Sequence, residues 1–206
     1  MNLCACLVII FINNQLVKYG GDLMVGAYGI ASAISTVFVM IIIGVNQGMQ
    51  PIAGYNYGAQ KLDRLLRVLK LAMITATVIM TTGWLIAMTL PHLLARIFTN
   101  DPALIKIAVA AIRINMLVFF TVGFQMVITN FFQCIGKVKI SIFLSLSRQL
   151  LFLLPLLYVF PLLFGVKGVW YAMPTSDFIA AVVAGAIMTS YMRKFKLQIK
   201  QSNHEN

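Results

Sequence analysis

Apolar residues gather into six long runs, each separated from the next by a short polar or glycine-bearing stretch. The first covers about Leu3–Val17 and the second about Leu23–Met49. A polar stretch, Pro51–Lys70, precedes the third at about Leu71–Leu90. The fourth runs from about Ile105 to Cys134, the fifth from about Ile140 to Phe164, and the sixth from about Val169 to Met192. An apolar helix of about 20 residues matches the roughly 30 Å hydrocarbon core of a bilayer. Lipid offers the backbone no hydrogen-bond partner, so each run must close its own bonds as a helix. A membrane β-barrel would alternate apolar and polar positions, and these runs do not. The pattern predicts an all-α, polytopic membrane protein. A six-helix bundle occupies residues 1–192, and a frayed, basic tail occupies residues 193–206.

Helix breakers agree with these boundaries. Gly20-Gly21 ends the first run, Gly136 ends the fourth, and Gly165 with Gly168 frames a tight turn. Asp101-Pro102 reads as an N-cap followed by proline at the first helical position. Pro155, Pro161 and Pro174 lie inside runs, where proline kinks a helix and neighbouring helices satisfy the freed carbonyl. The first run is short and interrupted by Asn13, Asn14 and Gln15. No basic stretch precedes it and no Ala-x-Ala follows, so it reads as a truncated membrane helix rather than a signal peptide.

Composition strengthens this reading and charge orients it. Of 206 residues, 61% are hydrophobic and 10% charged, too few charges to cover a soluble domain. The net charge of +11 points to topology rather than to nucleic acid. With the N-terminus in the cytoplasm, the cytoplasmic segments hold Lys61, Arg64, Arg67, Lys70, Lys137, Lys139, Arg193, Lys194, Lys196 and Lys200. The opposite loops hold Lys18, Arg96, Lys106 and Lys167. Ten against four places both termini in the cytoplasm of a plasma-membrane (in a bacterium, inner-membrane) protein.

Little in the sequence suggests bond chemistry. There is no P-loop, no pair of acids in one segment and no nucleophile beside a base, so the chain reads as a non-enzyme without a cofactor or metal. Cys4, Cys6 and Cys134 sit in or beside apolar runs and read as small hydrophobes. His92, next to Pro91, reads as an interfacial residue. Tyr55 and Tyr57 suit a membrane interface, and Lys61, Arg64, Arg67 and Lys70 form one basic stripe if their segment is helical. Gly44 and Gly48, and again Gly54 and Gly58, have the four-residue spacing of a close helix contact.

Three charges remain inside the runs: Arg113, Arg148 and Asp177. A charge at mid-bilayer costs at least about 2.5–3.5 kcal/mol, so each should face the protein interior or water and be paired. Arg113 and Asp177 lie at matching depth from the outer side, and we expect them to pair. Gln125, Asn130 and Gln133 share the fourth run and either bond across helices or line a polar cavity. The candidate pathway residues are therefore Arg113, Gln125, Asn130, Arg148 and Asp177.

The stretch GMQPIAGYNYGA at Gly48–Ala59, followed by basic residues, resembles the multidrug and toxic compound extrusion (MATE) transporters. FFQCIGK at Phe131–Lys137, LSLSRQ at Leu144–Gln149, FGVKGVW at Phe164–Trp170 and AMPTSD at Ala172–Asp177 continue the likeness in order. It looks like the family's second half across essentially the whole chain. The resemblance implies a lobe of a twelve-helix transporter in which two six-helix lobes enclose a substrate cavity. The implied activity is secondary antiport, exporting cationic or amphipathic drugs in exchange for Na+ or H+. The implied partners are the lipid bilayer, drug-like small molecules, and an N-terminal six-helix lobe or a second copy. Some branches carry cation-binding acids in the seventh and tenth helices. Here the matching segments hold Asn13, Asn14 and Gln15, and no acid. A lipid-linked oligosaccharide flippase of the same superfamily, or a non-transporting half-transporter fragment, stands as the alternative.

Overall fold

A computed structural model describes residues 2–205, with side chains for 7–165 and 167–200. The chain runs α1 (Asn2–Gly20), α2 (Asp22–Gly58), α3 (Leu62–Thr89), α4 (Pro91–Arg96), α5 (Pro102–Asn115) and α6 (Phe119–Cys134). It continues through α7 (Val138–Leu146), a π-helical segment at Ser147–Leu153, α8 (Leu154–Phe164) and α9 (Val166–Glu205). Among the described residues there is no strand.

Four continuous stretches are long and apolar enough to cross a bilayer: α2, α3, the α7–α8 rod (Val138–Phe164) and Lys167–Lys200 of α9. A fifth consists of α5 and α6, bent by 51° at the break between them. α1, with 19 residues, lies alongside as the sixth helix. The expected all-α, multi-pass architecture is therefore present, with the fourth run broken rather than straight. Asp101 caps α5 as its sequence suggests, its Oδ1 accepting from the Ala103 N–H at 2.9 Å.

Several helices outrun the apolar segments that announced them. α2 continues through Pro51 and the GYNYG stretch to Gly58. α3 begins at Leu62, so Arg64, Arg67 and Lys70 do form an exposed helical stripe, opposite buried Leu62, Leu65 and Leu69. The tail expected to fray continues α9 to Glu205. The C-terminal part of α2, the α6–α7 turn and the far end of α9 meet at one end. There Tyr57 stacks edge-on against Phe195 at 6.4 Å, and Lys137 Nζ sits 4.1 Å from the Tyr191 ring centroid. Tyr57 is thus partly inside the protein, while Tyr55 is exposed. We refer to this as the basic end. At the opposite end Tyr28 meets Trp170.

The core is apolar and tightly filled, with Leu16, Ile42, Leu69, Met80, Ile112, Ile128, Phe131 and Phe132 fully buried. Large apolar side chains also face outward all round the bundle, including Met40, Val78, Leu151, Leu162 and Val182. In water such a surface would aggregate; in lipid it is the solvated face. The close contact between α6 and α3 is not where glycine spacing suggested. A β-carbon on Gly44, Gly48 or Gly58 would meet nothing within 4 Å. One on Gly123 would lie 2.8 Å from Met80 Cγ and 2.9 Å from the Ala76 carbonyl, so α6 and α3 cross there almost backbone to backbone. Cys4 and Cys6 lie outside the described side chains; Cys134 is half-buried, its Sγ donating to Asn130 Oδ1 at 3.3 Å.

Candidate functional site

Two polar stripes face each other inside the bundle. On α2, Asn46, Gln47 and Gln50 follow the i, i+1, i+4 spacing of one helix face. On α6, Gln125, Thr129, Asn130 and Gln133 do the same, while Val127, Ile128, Phe131 and Phe132 fill the core on the other side. Between them, closed by Ser145, Arg148 and Gln149, lies a cavity of about 380 Å³.

A second cavity of about 280 Å³ lies further from the basic end. α1 contributes Val8, Ile9 and Ile12, and α2 contributes Tyr28, Ser32, Ser35 and Thr36. Asn115, Arg148, Gln149, Ser176 and Asp177 complete its polar lining. Asn115 Nδ2 donates to Ser35 Oγ at 3.2 Å, and Ser35 donates its own proton to the Ala31 carbonyl at 2.9 Å.

Arg148 and Gln149 belong to both cavities, and the reason lies in Pro155. Proline has no N–H to offer the carbonyl four residues back, Leu151, and its ring pushes that carbonyl away. The turn widens: the Leu154 N–H reaches the carbonyl of Gln149, five residues back. A wide turn of this kind re-aims the side chains it carries. Ser147 also bonds back to the Phe143 carbonyl. From this segment Arg148 Nε donates to Asp177 Oδ1 on α9 at 2.8 Å.

The expected pair between Arg113 and Asp177 is therefore incorrect. Asp177 is paired with Arg148, whereas Arg113 is exposed on the outside of α5 and lines neither cavity. The other four candidates, Gln125, Asn130, Arg148 and Asp177, converge on the two cavities. Asn46, Gln47, Gln50 and Gln149 join them, though their run of amides at helical spacing was not singled out in the sequence. His92 is exposed beside Arg96 and Lys106, well away from this site.

Electrically the site is nearly neutral. Its one guanidinium and one carboxylate are joined, with side chains 33% and 17% exposed. Most of the remaining polar wall is carboxamide and hydroxyl. Among the described residues no cluster of three or more His, Cys, Asp or Glu side chains could hold a metal ion. Such a surface can bind and orient a ligand by hydrogen bonds.

Comparison with known proteins agrees with this architecture. The MatE family model matches residues 1–159. Multidrug export protein MepA of Staphylococcus saprophyticus is 25% identical over 191 residues, covering 93% of this chain but 41% of that protein. A solved structure of the MATE multidrug transporter DinF-BH superposes with a TM-score of 0.80 at 37% identity, over 91% of this chain and 42% of that one. An outward-facing MATE family transporter of the MOP superfamily superposes at 0.87 with 22% identity, over 94% and 44%, a likeness of fold. The chain spans about two fifths of the length of the curated relatives it matches.

Proposed function

Because the chain belongs to the MatE family, a family of transporters and not of enzymes, we propose that it forms one lobe of a secondary multidrug exporter. That exporter moves cationic or amphipathic drugs out of the cell in exchange for Na+ or H+. The observation that carries this reading is the polar wall inside a lipid-facing bundle: two cavities that share Arg148 and Gln149, with Arg148 paired to Asp177 in the wall of the second. Amides within a membrane bundle commonly bond across helices, but Asn46 Oδ1 and Gln125 Oε1 have no partner among the described residues, so packing alone does not account for them. In transporters built from repeats, the binding site lies between the repeats. The partner is accordingly an N-terminal six-helix lobe or a second copy of this chain. The basic end faces the cytoplasm in this reading.

Asp177 is the sole carboxylate deep within a span among the described residues, since Asp22, Asp63 and Asp101 lie at helix starts. Ion coupling through this lobe would therefore act on Asp177. The test is drug accumulation in cells lacking homologous pumps. The chain alone should leave ethidium accumulation unchanged, and fused behind the N-terminal half of a MepA-type relative it should lower it. Export by the chain alone would replace the two-lobe reading with a homodimer. A correctly inserted fusion that exports nothing would remove the efflux reading.

A further inference from the structure

α4 is a short helix with three unlike faces. It begins just after the α3 span ends at Thr89, at the end of the bundle away from the basic end, where hydrocarbon gives way to headgroups. Pro91 and Ala95, one turn apart, are buried and fix the helix to the bundle. Leu93 and Ile97, also one turn apart, are exposed, and Ile97 keeps helical dihedrals. His92 and Arg96 form a third exposed pair at the same spacing. Each pair is turned about 100° from the next, so buried, apolar and basic faces share the circumference.

The basic face opens on a cavity of about 410 Å³, whose wall continues through Asn100 and Pro102 to Ile105 and Lys106 on α5. No acid lines it. Among the described residues neither Arg96 nor Lys106 has a salt-bridge partner. Asp101, beside Pro102, turns its Oδ1 to the Ala103 N–H at 2.9 Å. Lys18, Arg96, Lys106 and Lys167 are the lysines and arginines expected at this end, and two of these four meet at one cavity.

Charge and setting narrow the occupant. Fixed cations with no acid among them attract an anion. Guanidinium and ammonium groups bind phosphate oxygens, and His92 and Asn100 add N–H donors. Exposed groups hold a free phosphate weakly, because water and salt screen them. A phosphate carried by acyl chains escapes that limit, since the chains lie against Leu93 and Ile97 while the headgroup meets the basic face. A zwitterionic headgroup would bring its own cation beside Arg96 and Lys106, so a headgroup of net negative charge fits better.

We propose that α4 and the start of α5 form a docking site for an anionic phospholipid in the leaflet away from the basic end. Its phosphate lies among His92, Arg96, Asn100 and Lys106, and its acyl chains run along Leu93 and Ile97. The site needs only a membrane-embedded chain and stands apart from the export reading, because none of these residues lines either cavity of the polar wall.

The test places the chain in phosphatidylcholine nanodiscs with a bimane label at Ile97→Cys, in a background lacking the native cysteines. Phosphatidylglycerol or phosphatidylcholine carrying a nitroxide high on an acyl chain is added at equal fractions, and quenching reports which lipid lies against the label. Phosphatidylglycerol should be preferred at least about fivefold, the effect of one or two cations beside a headgroup. Arg96→Gln with Lys106→Gln should bring that preference within about twofold. Arg64→Gln with Arg67→Gln, at the basic end, should leave it unchanged. A label at Met40→Cys, lipid-facing in the middle of α2, should show no preference, and excess soluble glycerol phosphate should not displace the lipid at Ile97. Should the double variant not fold, salt decides: the parent's preference should fall by half or more between about 0.1 and about 0.5 M NaCl. Equal quenching by the two lipids would overturn the proposal, as would a preference that survives the double variant or is unmoved by salt. An equal preference at Met40 would mean general enrichment around the chain, and displacement by glycerol phosphate would mean a soluble phosphate site; either would also overturn it.

Discussion

Removing one member of the Arg148–Asp177 pair should cost more than removing both. Arg148→Gln strands a carboxylate whose side chain is 17% exposed, and Asp177→Asn strands a guanidinium that is 33% exposed. Breaking a fully buried pair typically costs about 3–5 kcal/mol. Here the cavities admit some water, so the loss should be smaller, and smaller for the better-hydrated arginine. For Arg148→Gln there is also a ceiling. A stranded carboxylate can take up a proton, and at pH 7 that costs about 4 kcal/mol for ordinary acidity. We expect about 2–4 kcal/mol for Arg148→Gln and about 1–3 kcal/mol for Asp177→Asn, with a coupling of about 1–3 kcal/mol in the double-mutant cycle. The exchange Arg148→Asp with Asp177→Arg should recover part of the loss. The assay is equilibrium unfolding of the purified chain in mixed micelles, followed by the fluorescence of Trp84 and Trp170. Arg113→Gln is the control. Exposed on α5, it should change stability by no more than about 0.5 kcal/mol. A coupling below about 0.5 kcal/mol would refute the pair as an energetic unit. An Arg113→Gln loss as large as that of Arg148→Gln would refute the claim that Arg113 is uninvolved.

Four further outcomes follow from the same geometry. Gly123→Ala forces a β-carbon against Met80 and the Ala76 carbonyl and should cost about 1–3 kcal/mol. Gly44→Ala, where the space is open, should be neutral or stabilise by about 0.5–1 kcal/mol in the same unfolding assay. Pro155→Ala restores the N–H that closes an α-helical turn, so Arg148 should swing away from α9, and its measured coupling to Asp177 should fall by more than half. Single cysteines at Gln60 and Lys196, in a background lacking the native cysteines, should resist an impermeant thiol reagent in intact cells. Labelling of either from outside would reverse the orientation assigned to the basic end.

Hydropathy located the helices well where they cross lipid and poorly where they leave it. The far end of α2 (Pro51–Gly58), the first two turns of α3 and the last turns of α9 are helical but polar or glycine-rich. They signal by capping and packing rather than by hydrophobicity, and Pro51 and the following glycines spoke against helix. The break between α5 and α6 was hidden for the opposite reason, because Met116, Leu117 and Val118 are as apolar as their neighbours. Glycine spacing misled because four-residue spacing says that a smooth face exists, not that another helix lies against it. Lone Gly123 makes the contact that Gly44 and Gly48 do not.

The mispairing of Asp177 shows which part of the site the sequence did contain. Depth alone could not choose between the two arginines. Arg113 and Asp177 are each the twelfth residue of their helix, while Arg148 is the eleventh residue of its rod from the opposite end. At about 1.5 Å per residue, Asp177 lies roughly 17 Å from one end and Arg148 roughly 15 Å from the other. Together these make about one hydrocarbon thickness, so both arginines reach the level of Asp177. Rotation about the helix axis does choose. Asp177 continues the buried stripe of Trp170, Met173, Ala180 and Ala184, so it points inward. Arg148 continues the stripe of buried Ser141 and Leu144, at the i+3 and i+4 steps of one face. Arg113 lies one residue, roughly 100°, past buried Ile112, turned away from the face of α5 that includes Ala108 and Ala111. Each stripe is visible as apolar or small residues in the sequence, so angular position, applied before depth, would have selected Arg148.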